Sequence, residues 1–249
     1  MRLFPGFRTR LLPWALAVLV LGSCGKSPPP AGAGGRLRTG FIFPEYCLEH
    51  DLGDFPEQPG RLVGIRRKLK EAGLLSELEV IKPLPAPIER IEAIHTSEYI
   101  DRARRACRGL HEGMTFLDRM DVAIVGTSFD AAVTAAGGAL GAIDAIMEGR
   151  IANAFCAVRP PGHHAHSDSA MGFCIFNNVA IAARYLQQKW KVPKVLIVDW
   201  DAHHGNGTQE AFYEDGSVFY FSTHCSPLFP LTGSAEERGK GKGEGCILN

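Results

Sequence analysis

Val195-Leu196-Ile197-Val198-Asp199-Trp200-Asp201-Ala202-His203-His204-Gly205-Asn206-Gly207 changes character at its fifth residue. The first four are apolar and mostly β-branched, as in a parallel strand buried on both faces. If extended backbone continues past them, Asp199, Asp201 and His203 point to one side, because strand side chains alternate. A carboxylate and an imidazole two residues apart can then share one metal. An oxygen and nitrogen set without thiolate suits Zn²⁺ or a similar divalent ion, with a third ligand supplied from elsewhere. Asp199, one pleat deeper, is placed to orient a neighbouring histidine. The competing reading is a polar loop whose histidines are satisfied locally. Carboxylates on the buried side of an apolar strand are costly without a cation, which favours the metal.

Working outward, the same event recurs at other strand ends. Ala154–Val158 reads as a strand closed by Arg159-Pro160-Pro161-Gly162, followed by His163-His164. Val218-Phe219-Tyr220-Phe221 reads as a third strand, followed by Ser222-Thr223-His224. In open parallel sheets, sites form at the carboxyl ends of strands, so three polar clusters there indicate one shared site. Beside a metal, one neutral imidazole of the His163-His164 pair can accept a proton while a charged one stabilises negative charge. Gly172-Phe173 and, later, Phe229-Pro230 place aromatics near these ends; Phe173 serves either core packing or one wall of a narrow entrance, with Phe229 opposite.

Between these strands the periodicity is helical. Leu62, Ile65 and Leu69 follow one face, with Gly73 as a C-cap. Pro87 opens a short helix over 88–94, and Ser97 caps another through Arg105. Ser128 to Met147 is an Ala-rich stretch that should be a buried helix despite its glycines, and a further helix runs from Asn178 to Trp190. Short apolar runs alternating with helices make this an α/β domain.

The first 24 residues form a different segment. Arg2, Arg8 and Arg10 precede an apolar run from Leu11 to Leu21, then Gly22-Ser23-Cys24, the layout of a secretory signal. Cys24 after Leu-Gly-Ser resembles a bacterial lipobox, which implies a lipidated Cys24 and an exported, periplasmic or outer-membrane-associated lipoprotein; the competing reading is a simple cleaved signal or an uncleaved anchor, with Cys24 incidental. Residues 25–38 are rich in Pro, Gly and Ala and read as a tether, leaving 39–249 for the domain. Lys plus Arg and Asp plus Glu each number 27, so bulk charge gives nucleic acid no attraction. The seven cysteines are scattered without a C-x-x-C pair, which argues against a disulfide framework. Cys156 and Cys174, in apolar runs, read as small core residues.

Arg159-Pro160-Pro161-Gly162-His163-His164-Ala165, Gly172-Phe173-Cys174-Ile175-Phe176-Asn177-Asn178 and Asp199-Trp200-Asp201-Ala202-His203-His204-Gly205-Asn206-Gly207-Thr208, in this order, closely resemble signature segments of the histone deacetylase superfamily. Ser222-Thr223-His224 with Ser226-Pro227-Leu228-Phe229-Pro230 resembles its next segment, and Tyr46, His50 and Pro56-Glu57-Gln58-Pro59-Gly60-Arg61 resemble its opening. The resemblance implies an arginase-like three-layer α/β/α fold with a mainly parallel sheet. It implies Zn²⁺, with Fe²⁺ as the alternative ion, held by Asp201 and His203. His164 would be the general base, His163 the charge stabiliser buttressed by Asp199, and the neutral Asn206 a partner that leaves His164 less basic. Asp199, Asp201, His203, Ser222 and Thr223 would form a structural K⁺ site, partly through backbone oxygens. Gly172, Phe173 and Phe229 would line a tunnel for an acyl-lysine stem.

The family's third metal ligand, an aspartate, and its carbonyl-polarising tyrosine belong downstream of Gly243 to Asn249. The expectation is therefore a truncated domain, its N-terminal two-thirds, with weak metal binding, little activity and an exposed, aggregation-prone sheet edge. The expected reaction is hydrolysis of acetyl-lysine or an acetylated polyamine to acetate and free amine by metal-activated water. The alternatives are a non-catalytic acyl-ligand binder of the same fold and a ureohydrolase, whose carboxylate-richer two-metal site the His-His turn fits poorly.

Overall fold

The computed structural model describes residues 38–249. The secretory signal, Cys24 and residues 25–37 of the tether lie outside the described residues. Arg38 is joined to the domain, donating to the backbone oxygens of Ser76, Glu77 and Leu78 at 2.6, 2.8 and 2.8 Å. The first strand, β1 (Thr39–Ile42), follows at once.

The elements follow in the order β1, α1 (Gly60–Glu71), β2 (Glu79–Val80), α2 (Ile88–Ile91), α3 (Ser97–Arg108), β3 (Thr115–Phe116), β4 (Ala123–Ile124) and α4 (Ser128–Met147). The chain continues with β5 (Asn153–Cys156), α5 (Asn178–Trp190), β6 (Val195–Asp199), α6 (Asn206–Phe212), β7 (Val218–Ser222) and β8 (Ile247–Leu248). Two three-stranded sheets, ordered β2-β1-β5 and β6-β7-β8, are parallel throughout, and β3 pairs with β4 in an antiparallel hairpin. This is the α/β architecture that the alternating pattern predicts.

Helix α4 binds the domain together, contributing residues to all three clusters of the hydrophobic core. Its glycines have a packing reason. A Cβ on Gly137 would lie 1.8 Å from the Leu84 carbonyl oxygen, so only glycine lets the 84–86 segment cross the helix so closely. That segment is tied there by Ala86 N–H donating to Val133 O at 3.0 Å.

Several details differ from the expected ones. The N-cap of α3 is Thr96, whose hydroxyl accepts from Tyr99 N at 3.3 Å, one residue before Ser97. Helix α2 stops at Ile91 rather than Ile94. Strands β6 and β7 are covered on one face only: Val195, Ile197, Val218 and Tyr220 are buried, whereas Phe219 is exposed and Leu196, Val198 and Phe221 are half-buried. Cys174 is buried as expected, but Cys156 is half-buried; both, like Cys47, Cys107, Cys225 and Cys246, carry free thiols.

Candidate active site

Strand β6 ends at Asp199, so the metal-ligand segment leaves the ladder earlier than continuous extension would require. The alternation nevertheless persists for two more residues: Asp199 is 2% exposed, Trp200 51% and Asp201 8%. Local hydrogen bonds replace the lost ladder. Asp201 N–H donates to Asp199 Oδ1 at 3.2 Å, and His203 N–H donates to Asp201 Oδ1 at 2.8 Å. Asp201 Oδ1 also lies 3.0 Å from His203 Nδ1, which brings the two expected metal donors together. Their chemistry, one carboxylate oxygen and one imidazole nitrogen, fits zinc. The pair is not a complete set: among the described residues no three His, Cys, Asp or Glu side chains are grouped to hold a metal.

The turn after β5 delivers the histidine pair. Arg159, 2% exposed, anchors it, donating to the Glu57 carboxylate at 2.9 and 2.5 Å and to Cys47 O at 2.8 Å. Gly162 permits close approach, since a Cβ there would sit 2.6 Å from Asn178 N. The imidazoles of His163 and His164 then lie with ring centroids 4.0 Å apart.

Each histidine has its own partner. His163 Nδ1 is 3.0 Å from Asp199 Oδ2, which also accepts from Tyr220 Oη at 3.0 Å. Tyr220 Oη in turn accepts from Gly205 N at 3.1 Å. Burial opposes a charge on His163, but the hydrogen bond and charge of Asp199, helped by Asp201, outweigh it and raise the pKa above the usual value. Burial, with the neighbouring His163 and His203 charges, pushes His164 down to about 3, and its hydrogen bond to Asn206 only partly opposes this. That bond joins His164 Nδ1 and Asn206 Oδ1 at 2.8 Å. The two adjacent imidazoles are thus driven in opposite directions, one toward the charged form and one toward the neutral form.

Aromatic rings border the pair. Phe229 stands edge-on to His164 and His203, at centroid distances of 5.1 and 6.1 Å. Gly172 lies against His164, where a Cβ would come within 2.3 Å of the ring, and its positive φ of 56° suits glycine. Phe173, with φ 67°, pairs edge-to-face with Phe55 at 5.4 Å. Of the residues expected for a monovalent cation, Ser222 and Thr223 do adjoin Asp199: Thr223 N–H donates to Asp199 O at 2.9 Å. Ser222 Oγ pairs with His224 Nδ1 at 2.8 Å.

Sequence reading missed Phe55, Tyr220 and Asp121. Asp121 Oδ2 accepts from Gly172 N at 3.0 Å, while its buried Oδ1 has no hydrogen-bond partner. Tyr220 could have been flagged as a polar tip on an inward strand position; Asp121 left no local signal.

Comparison with known proteins agrees with this arrangement. The histone deacetylase domain model matches residues 55–249. A probable deacetylase of Archaeoglobus fulgidus is 40% identical over 85% of this chain and 58% of its own length. Human histone deacetylase 7 is 38% identical over 85% of this chain and 25% of its own. The crystal structure of the HDA15 HD domain superposes with TM-score 0.80 at 38% identity, covering 86% of this chain and 62% of that one. The chain therefore spans less than two thirds of the length of each of these proteins. With the domain model covering most of its residues and the fold reproduced, the chain belongs to the histone deacetylase family.

Proposed function

We propose that the site hydrolyses the amide of an N-acetylated amine, acetyl-lysine or an acetylated polyamine, to acetate and free amine. The observation that carries this is the pair of adjacent buried imidazoles with opposite pKa displacements beside the convergent Asp201 and His203. Asp201 and His203 would hold zinc, which supplies Lewis acidity toward the acyl carbonyl and makes water more acidic. A structural K⁺ would take the neighbouring oxygens of Asp199, Asp201, His203, Ser222 and Thr223.

His164, held neutral, accepts a proton at Nε2. Its low basicity restricts it to an acidic donor, and Asn206, being uncharged, does nothing to raise that basicity through charge. His163, buttressed by Asp199, carries positive charge next to the developing oxyanion. Phe229 and the Gly172-Phe173 turn form apolar borders that suit an alkyl stem. The second reading is a non-catalytic acyl-ligand binder of the same fold. The N-terminal segment supports export and a lipid anchor at Cys24, with the domain acting outside the cytoplasm.

Protein expressed from the complete gene and loaded with zinc would be incubated with an acetyl-lysine peptide and with an acetylated polyamine. Acetate release from either supports hydrolysis, and the faster one gives the substrate class. Binding of both without release contradicts the hydrolase and selects the binder.

A further inference from the structure

The hydrogen bonding around His164 extends beyond Asn206 to the surface. Asn206 Oδ1 faces His164 Nδ1, and Asn206 Nδ2 lies 2.8 Å from His166 Nε2 and 3.3 Å from Met171 Sδ. The other ring nitrogen of His166, Nδ1, pairs with Glu210 Oε2. Glu210 Oε1 accepts from Ser167 N at 3.3 Å and Ser167 Oγ at 3.2 Å. The backbone of this segment is clamped as well, because buried His95 donates from Nδ1 to His166 O at 2.8 Å.

For a neutral His166 ring the directions along this chain follow from chemistry. The hydrogen bond from His166 and burial act in opposite senses on Glu210, and the hydrogen bond prevails, so its pKa is lowered and the carboxylate only accepts. His166 Nδ1 must therefore donate, which in the neutral ring leaves the lone pair on Nε2. That lone pair can be met only by an N–H, so the Asn206 amide turns its NH₂ toward His166 and Met171 and its oxygen toward His164. An amide oxygen cannot donate, so His164 must carry its proton on Nδ1, with the lone pair on Nε2. Without the outer pair, Asn206 could turn over and favour the opposite tautomer, in which His164 Nε2 already holds a proton and cannot take one.

We propose that His166 and Glu210 are positioning residues: by fixing the orientation of the Asn206 amide they hold His164 as the Nδ1–H tautomer, leaving Nε2 free to accept a proton. This rests on His164 as the base of the proposed reaction, but the tautomer is a property of the folded chain and is measurable without turnover. Long-range ¹H–¹⁵N correlation of the histidine rings reads it directly, with His164 assigned by its absence in His164→Ala.

In the native chain His164 shows a protonated Nδ1 and a bare Nε2. In His166→Phe, which keeps a planar ring and removes the acceptor, the share of Nε2–H tautomer rises about fivefold, the ratio that one hydrogen bond's net worth supports. His166→Gln, whose amide oxygen again accepts from Asn206, restores the native pattern, which a merely structural role of the ring would not require. A native His164 pattern in folded His166→Phe overturns the proposal. Should that variant not fold, Glu210→Gln at the exposed end carries the same test, because a carboxamide can donate to His166 Nδ1 and the direction is no longer forced. Redistribution there supports the proposal and an unchanged pattern refutes it. Neither outcome depends on acetate release, so failure here leaves the hydrolase reading standing.

Discussion

Replacing Arg159 by Met removes the charge that ties the histidine turn to the start of the domain. Arg159 and Glu57 are 2% and 1% exposed, and the guanidinium makes two short contacts to the carboxylate besides one to Cys47 O. His50 Nε2 is 3.6 Å from the carboxylate, and in the native chain burial and then the positive Arg159 push its pKa down to about 3; the substitution lifts only the second of these, and burial still opposes a charge on His50. Arg159→Met therefore leaves the Glu57 carboxylate buried without its two guanidinium contacts, with Arg61 at 3.7 Å and 30% exposed. Breaking a buried pair from one side costs about 3–5 kcal/mol. With a urea dependence of about 2–3 kcal/mol per molar for a domain of this size, the unfolding midpoint falls by roughly 1–2.5 M. The double variant Arg159→Met with Glu57→Gln should recover at least about 1 kcal/mol of the summed losses, because it leaves no unpaired charge. Urea unfolding followed by tryptophan fluorescence and far-UV circular dichroism measures both. A cost below about 1 kcal/mol for Arg159→Met, or strictly additive losses, would refute the reasoning, since that is the range of an exposed pair.

Other expectations follow from the same geometry. Gly205→Ala would place a Cβ 2.3 Å from Asp199 Oδ2 and 2.6 Å from Tyr220 Oη, so the His163–Asp199–Tyr220 network must separate. Overpacking of this kind costs about 1–3 kcal/mol, a fall in thermal midpoint of roughly 2–12 °C by calorimetry. Buried His50 and His95 have pKa values pushed down to about 3 and about 4, so in the folded state they stay neutral where the unfolded chain takes up protons. The unfolded state then binds more protons below about pH 6.5, and stability is lost as pH falls from there toward the folded pKa values. Lowering the pH to about 5 should cost up to about 2 kcal/mol per histidine, measured as a shift in urea midpoint, with His50→Gln reducing the slope. Asp201→Ala should abolish zinc binding followed by calorimetric titration while leaving the far-UV spectrum intact, because Asp201 is one of two convergent donors.

Much of this was legible in the sequence. Helices α4 and α5 begin and end at the expected residues, and β6 and β7 run one residue longer, because uninterrupted apolar patterns bounded by Gly, Pro or Asn leave little ambiguity. Helix α6 was hidden, since its first residues double as site residues and its apolar face is short. The two-residue strands β2, β3 and β4 are made by pairing rather than by local preference, whereas β8 falls where the last residues read as the start of a strand. Within the site, the residues bearing imidazoles and carboxylates at strand ends announced themselves by chemistry. The supporting groups did not: Glu57 meets Arg159 across 102 positions, Tyr220 meets Asp199 across 21, and Asp121 reaches Gly172 across 51. Such pairs depend on how the strands and the β3–β4 hairpin are brought together, which no local pattern encodes. The one-sided burial of β6 and β7 has the same origin, since an apolar run does not say whether both faces are covered.

The most direct test of the central claim is the rate of acetate release from an acetyl-lysine peptide by zinc-loaded protein from the complete gene, native against His164→Ala. The account predicts a fall in kcat/KM of about 10²–10⁴-fold, the usual worth of a positioned acid or base, with zinc binding and thermal midpoint retained. A folded, zinc-bound variant within tenfold of the native rate would contradict His164 as the proton acceptor.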